Sequence, residues 1–215
     1  THDQSSAASD VYKRQSLKSK LKRYLKIEEN VFTLIKAQFF LQLIASSFFL
    51  ILNIYLSKNN FSDSEIANFL SYRFLAVILL SYPLGYFITF RKLKPMFIIS
   101  SFLMPFIAIA LVLSIKLSLS IYLNYLFFIW GIIFVIFQIC VLPFIMRYSS
   151  DKNQTYCISL SFSTHSVAML ISGLLIFISS NLLNIDEGDI LIFLSIIGFG
   201  SLYFALRINE VNMDN

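Results

Sequence analysis

The chain has 215 residues, of which 57% are hydrophobic and only 13% charged. A water-soluble domain carries roughly 45–50% apolar and about 25% charged residues, so a fully solvated globular surface is excluded. The formal net charge of +5 does not point to nucleic acid, because the basic residues sit in short blocks between apolar runs and no nucleic-acid-binding motif is present.

Thr1 is not a start Met, and Ser9 to Gln15 resembles translated adapter sequence. Residues 1–15 are therefore read as a non-native leader and set aside. Residues 16–31 form a basic N-terminal segment, with Lys13 to Lys26 as a block of positive charge ahead of the first apolar run. Residues 32–206 hold the apolar runs, and 207–215 read as a tail or the start of a central loop.

About 20 mostly apolar residues cross the roughly 30 Å of bilayer hydrocarbon as a helix. Six runs meet that length: Phe32 to Leu56, Ile66 to Phe90, the stretch after Pro95 to Ile115, Leu119 to Met146, Thr155 to Leu182, and Ile190 to Leu206. They are continuous and do not alternate, so helices are expected and barrel strands are not. The predicted class is an all-α polytopic membrane protein with six transmembrane helices. Ser62 and Glu65 have capping-box spacing and should open the second helix. Pro95 suits the first turn of the third, and Asp186, Glu187 and Asp189 suit the positive end of the sixth. Pro105 and Pro143 fall inside spans and predict kinks.

Orientation follows from Lys and Arg. The N-terminal block, Arg91, Lys92, Lys94, Arg147, Lys152 and Arg207 fall on one side; the other has only Lys58, Lys116 and the acidic 186–189 loop. The asymmetry places both termini in the cytoplasm, with the chain multi-pass in the plasma (inner) membrane. The Asn153-Gln154-Thr155 sequon then faces the cytoplasm and is not a glycosylation site. Cys140 and Cys157 lie in or beside apolar runs and read as small buried hydrophobes. The aromatic abundance reads as mostly lipid-facing bulk, with Tyr55, Tyr86 and Tyr203 as interface anchors.

Two segments and the spacing carry a family resemblance. Phe61 to Ala67, then Gly85, then Arg91 to Lys94, is similar to the second helix and short basic loop of the major facilitator superfamily. That loop's usual pattern is G-x-L-A-D-R-x-G-R-K; here Thr89 stands at the acidic position and Lys92 at the second glycine. Leu142-Pro143-Phe144 ahead of the polar stretch from Arg147 to Tyr156 resembles the family's exit from helix four into helix five. The antiporter glycine-proline motif of helix five is absent, and Gly173 stands alone there. The resemblance covers about residues 30–206 and implies an N-terminal half built from two inverted three-helix repeats. It also implies a polar cavity facing a second six-helix half, as the rest of a longer chain or as a separate partner half. The substrate would bind near the midplane.

Chemistry-bearing residues are few. All twelve Asp and Glu lie outside the spans, which disfavours an acid–base membrane enzyme and proton coupling through a carboxylate in this half. No metal-ligand cluster or glycine-rich phosphate loop is present, and no cofactor is expected. Arg73 lies inside the second span, either as an anion-binding or gating charge or as an arginine snorkelling outward beside Asp63 or Asp186. Lys36 sits at the inner end of the first span and reads as snorkelling. Gln38, Gln42, Ser46 and Asn53 share a face of the first helix, as cavity lining or as helix–helix glue. Asn124, Gly131 and Gln138 share a face of the fourth, where Gly131 also permits close packing. His165 lies midway along the fifth, with Ser161 and Ser172 on its face, as a substrate ligand or as a neutral packing partner.

The expected function is a non-enzymatic one: a secondary transporter half that moves a small solute by alternating access. Gln38, Gln42, Arg73, Asn124, Gln138 and His165 are the candidate binding residues. A non-transporting scaffold or assembly subunit is the alternative.

Overall fold

The computed structural model describes residues 28–89 and 91–209. The leader, the whole Lys13 to Lys26 basic block, Phe90 and residues 210–215 lie outside the described residues. The described chain forms α1 (Glu29–Lys58), α2 (Asp63–Ile88), α3 (Lys94–Lys116), α4 (Ser120–Tyr148), α5 (Gln154–Asn181), α6 (Glu187–Ile197) and α7 (Gly200–Leu206). Six helical segments are long and apolar enough to cross a membrane, the sixth being α6 and α7 taken together. Each helix matches an apolar run, and most extend a few residues into the flanking polar sequence, since helix hydrogen bonding continues past the last apolar side chain.

Local chemistry sets the ends. The Ser62 hydroxyl accepts from the Glu65 backbone N–H at 3.4 Å, and the Glu65 carboxylate accepts from Ser62 N–H at 2.9 Å, so the capping box is formed. Pro95 occupies the first turn of α3. The Asp186 carboxylate accepts from Gly188 N–H at 3.0 Å and caps α6. The left-handed residues Asn60 and Ser118 reverse the chain after α1 and α3, and Asn184 does so before α6. α3 and α4 run through Pro105 and Pro143 without a break in their helices, and α2 does so through Pro83. An interruption falls in the sixth segment. There Ser201 and Leu202 N–H donate to the Gly198 and Phe199 carbonyls, three residues back, separating α6 from α7.

α1 is the most buried helix and touches every other one; α2 and α5 are the least buried. α1 packs chiefly on α5 and on α6–α7, while α4 packs chiefly on α2 and α3; α3 also packs on α6–α7. The Ser101 and Ser201 hydroxyls meet at 2.7 Å across α3 and α7. Gly131 is where α4 reaches α2 most closely: a Cβ there would collide with the Arg73 carbonyl oxygen and lie 2.9 Å from the Ala76 Cβ.

The aromatic residues are more than lipid-facing bulk. Phe48, Phe97, Phe127, Phe137, Phe144 and Trp130 are fully buried and form much of the core. Edge-on and stacked rings link Phe61, Phe69, Phe127, Trp130 and Phe48 across α2, α4 and α1. Such ring pairs add about 0.5–1.5 kcal/mol beyond the area they bury. Tyr55 is likewise core rather than interface anchor, at 3% exposure against α6, whereas Tyr86 and Tyr203 are exposed. Cys140 and Cys157 are buried and form no disulfide.

The two ends of the bundle differ in polarity. At one end Lys58 pairs with Glu187, and Lys116 with Asp189 at 3.6 Å. At the other, the Arg147 guanidinium donates to the carbonyls of Ile88, Thr89 and Arg91 at 2.7–3.1 Å, which closes the last turn of α2. There too Glu28 accepts from Ser150 N–H at 3.0 Å, and Asn30 bonds Asn209.

Candidate functional site

Helical spacing of three and four places one stripe per helix on a common face. Gln38, Gln42, Ala45 and Phe49 on α1, Phe134 and Gln138 on α4, and Ser161, His165 and Met169 on α5 are three such stripes. With Arg73 of α2 they line a cleft of about 480 Å³. At 1.5 Å per residue, Arg73 lies about 15 Å from the first residue of α2 and His165 about 16 Å from the first residue of α5. Both therefore sit well inside the roughly 30 Å apolar layer these helices can span.

The two sides of the cleft solve the problem of polar groups in hydrocarbon differently. Along α1 and α5, side chains pair. The Ser161 hydroxyl donates to Gln38 Oε1 at 2.8 Å, and His165 Nδ1–H donates to Gln42 Oε1 at 3.1 Å. Ser172 donates to the Leu43 carbonyl at 3.1 Å. The bond at Nδ1 leaves His165 Nε2 as the ring's second polar atom.

Along α2 and α4, a cation meets rings. The Arg73 guanidinium lies 4.4 Å from the Trp130 ring centroid, 5.3 Å from Phe134 and 5.7 Å from Phe74. A desolvated guanidinium over an indole face gains about 2 kcal/mol. No carboxylate among the described residues lies within ion-pair distance of it. The sequence alternative that paired Arg73 with Asp63 or Asp186 does not hold, since Asp186 caps α6. The Gln138 amide makes no hydrogen bond to another described residue, so it too keeps its polar atoms for the cleft.

Of the six candidate residues, Gln38, Gln42, Arg73, Gln138 and His165 line this one cleft. Asn124 does not. It sits one turn into α4 and accepts from the Asn68 amide at 3.4 Å, far along the helix from Gln138. The α1 stripe also splits: Ser46 is buried in helix packing, and Asn53 is exposed near the end of α1. Lys36 lies outside the cleft, 4.4 Å above the Phe32 ring. Sequence reasoning missed Trp130 and Phe134, which hold Arg73. The signal was available: Trp130, Phe134 and Gln138 recur at steps of four, and an intramembrane arginine without a carboxylate needs another partner.

Fold and cleft together define a multi-pass all-helical membrane protein with polar groups gathered at mid-span. Compared with protein-family models, curated proteins and solved structures, the chain matches none of them.

Proposed function

We propose that the chain is one six-helix half of a secondary transporter of the major facilitator type, moving a small solute through the cleft by alternating access. The single observation that carries this is the convergence of Gln38, Gln42, Arg73, Gln138 and His165 on one cleft at mid-span. Polar groups there are costly, at several kcal/mol each when unpaired, and a solute pathway is the common reason to keep them.

The helix packing supports the repeat reading. Its main partnerships are preserved when α1 exchanges with α4, α2 with α5, and α3 with α6–α7. Arg73 and His165 then occupy matching positions, each about three turns into its helix. This is the relation expected of two inverted three-helix repeats. α2 and α5 border the cleft and are the least buried helices, which suits a second six-helix half packed across it. We place both termini in the cytoplasm. Lys58 and Lys116 at the other end are matched by Glu187 and Asp189, while Arg91, Lys92, Lys94, Arg147, Lys152 and Arg207 gather at this one. A scaffold subunit would use the Gln38–Ser161 and Gln42–His165 pairs as helix–helix bonds but would have no use for Arg73 and the Gln138 amide facing the cleft.

Hydration tests the reading. In a background with Cys140 and Cys157 replaced by Ser, Gln138→Cys should react with a charged, water-soluble thiol reagent, and Ser100→Cys, buried in α3, should not. Equal inertness at both would exclude a water-filled pathway. A cysteine at Lys58 should label from outside the cell and one at Lys152 should not; the reverse pattern would invert the orientation.

A further inference from the structure

Resting on that reading, we infer that the cleft selects small organic monoanions, an acid group on an apolar body, with Arg73 as counter-charge and the Gln138 amide as second donor. The charge inventory leads there. Among the described residues lining the cleft, Arg73 is the sole permanently charged group. Every Asp and Glu among the described residues lies at a helix end or in a loop, so none of them neutralises it at mid-span. A guanidinium in a low-dielectric site without an anion holds a large unspent attraction, which the Trp130 face satisfies only in part. An incoming carboxylate would accept two parallel N–H bonds from the guanidinium, the strongest pairing open to it.

The other groups set the remaining chemistry. Gln38 and Gln42 already have their partners in Ser161 and His165, so the α1–α5 side offers few unpaired polar atoms. Phe49, Phe134, Phe162 and Met169 make most of the remaining wall apolar. One positive charge opposite an apolar wall matches one negative charge on an apolar body. A dianion would bring an uncompensated charge, and an ammonium would face Arg73 directly.

The molecule carries its own reporter. Trp130 is the only tryptophan of the chain, and it lies under the Arg73 guanidinium. An anion that draws the guanidinium off the indole must alter tryptophan emission.

The test is a fluorescence titration of the purified full chain in detergent at constant ionic strength. The probes are benzoate, benzamide, benzylamine and sodium chloride. We expect a saturable change with benzoate and none of comparable size with the other three. Arg73→Gln should weaken the apparent benzoate affinity at least about tenfold, Arg73→Lys less, and Gln138→Leu by a few-fold. Lys36→Gln, which removes a cation outside the cleft, should leave it unchanged. Size-exclusion and circular-dichroism profiles matching the parent chain establish that each variant is folded. Should Arg73→Gln not fold, Arg73→Lys with Gln138→Leu carries the test. An equal response to benzamide, an equal response to chloride, a benzoate response untouched by these variants, or no response to benzoate would each overturn the inference. Benzamide binding that Gln42→Leu weakens would sink the anion preference while leaving a solute cleft in place. An inert Gln138→Cys in the hydration experiment would instead sink the transport reading itself.

Discussion

The two seams of the bundle, α1 against α5 and α2 against α4, occupy matching places in the packing yet are built from different interactions. The first is polar: Gln38 with Ser161, Gln42 with His165, Ser172 with a backbone carbonyl. The second is aromatic: Phe69, Phe127 and Trp130 packed together, with Arg73 above the indole and Gly131 letting the backbones close. Even their ends differ, one tied by a carboxylate at Glu28 and the other by a guanidinium at Arg147. A polar seam in hydrocarbon gains little per bond, since the separated helices find other partners, whereas an aromatic seam depends on shape. The α2–α4 seam should therefore be brittle and the α1–α5 seam tolerant.

That contrast is sharpest at Trp130. Trp130→Ala removes the contacts to Phe48, Phe127 and Arg73 and should cost about 3–5 kcal/mol in thermal or denaturant unfolding. Ser161→Ala on the other seam should cost about 1 kcal/mol or less. Similar losses at the two positions would erase the distinction.

A pair of glycines probes the same difference by addition rather than removal. Gly131→Ala pushes a methyl into the α2 backbone and should destabilise by about 1–3 kcal/mol. Gly173→Ala in α5 meets only Leu50 Cδ1 at 3.8 Å and should stay within about 0.5 kcal/mol, helped by alanine's better helix propensity. Thermal midpoints of the two variants in one detergent decide it.

A double-mutant cycle between Gln42→Leu and His165→Leu should return a coupling of about 0.6 kcal/mol, the average for such pairs in membrane helices. A coupling well above about 1.7 kcal/mol would make the polar seam as specific as the aromatic one.

The smallest effect concerns the ends. Burial pushes the Glu28 carboxyl up, but the hydrogen bonds from the Ser150 backbone N–H and from the Ser150 and Asn153 side chains outweigh it, and the group titrates below its ordinary value. A carboxyl lowered by folding stabilises the fold above its unfolded pKa of about 4.3 and loses that contribution as pH falls through the lower folded value. Stability of the parent chain should thus decline slightly more below about pH 4 than that of Glu28→Gln, read from unfolding midpoints across roughly pH 3 to 6.

How much of this was legible beforehand depends on whether a feature is local. The six spans, the Ser62–Glu65 box and the Asp186 cap needed only length, apolarity and short-range hydrogen bonding, all of which one stretch of sequence contains. Gln38, Gln42, Gln138 and His165 stood out because amides and imidazoles in hydrocarbon require partners. The split between α6 and α7 was not legible, because Gly198 and Gly200 break that helix where Ile44 and Phe40 of α1 leave no room for side chains. Nor was the burial of Tyr55, whose ring meets Gly188 of α6, a residue more than a hundred positions away.

By itself, then, the sequence determined how many times the chain can cross a membrane, where each helix begins and which polar side chains must be hidden from lipid, because these follow from transfer free energies and hydrogen bonds within a single segment. The tertiary structure alone decided which of those side chains meet. It brought Arg73 over Trp130 rather than to an acid, set Asn124 beside Asn68 and outside the cleft, and turned Phe48, Phe127 and Trp130 into the core. The reason is that an apolar helix in a bilayer meets hydrocarbon whichever way it turns, so burial of apolar surface cannot aim its faces. Their pairing is set by shape, by the small residues that let backbones approach, and by the polar partners available on other helices.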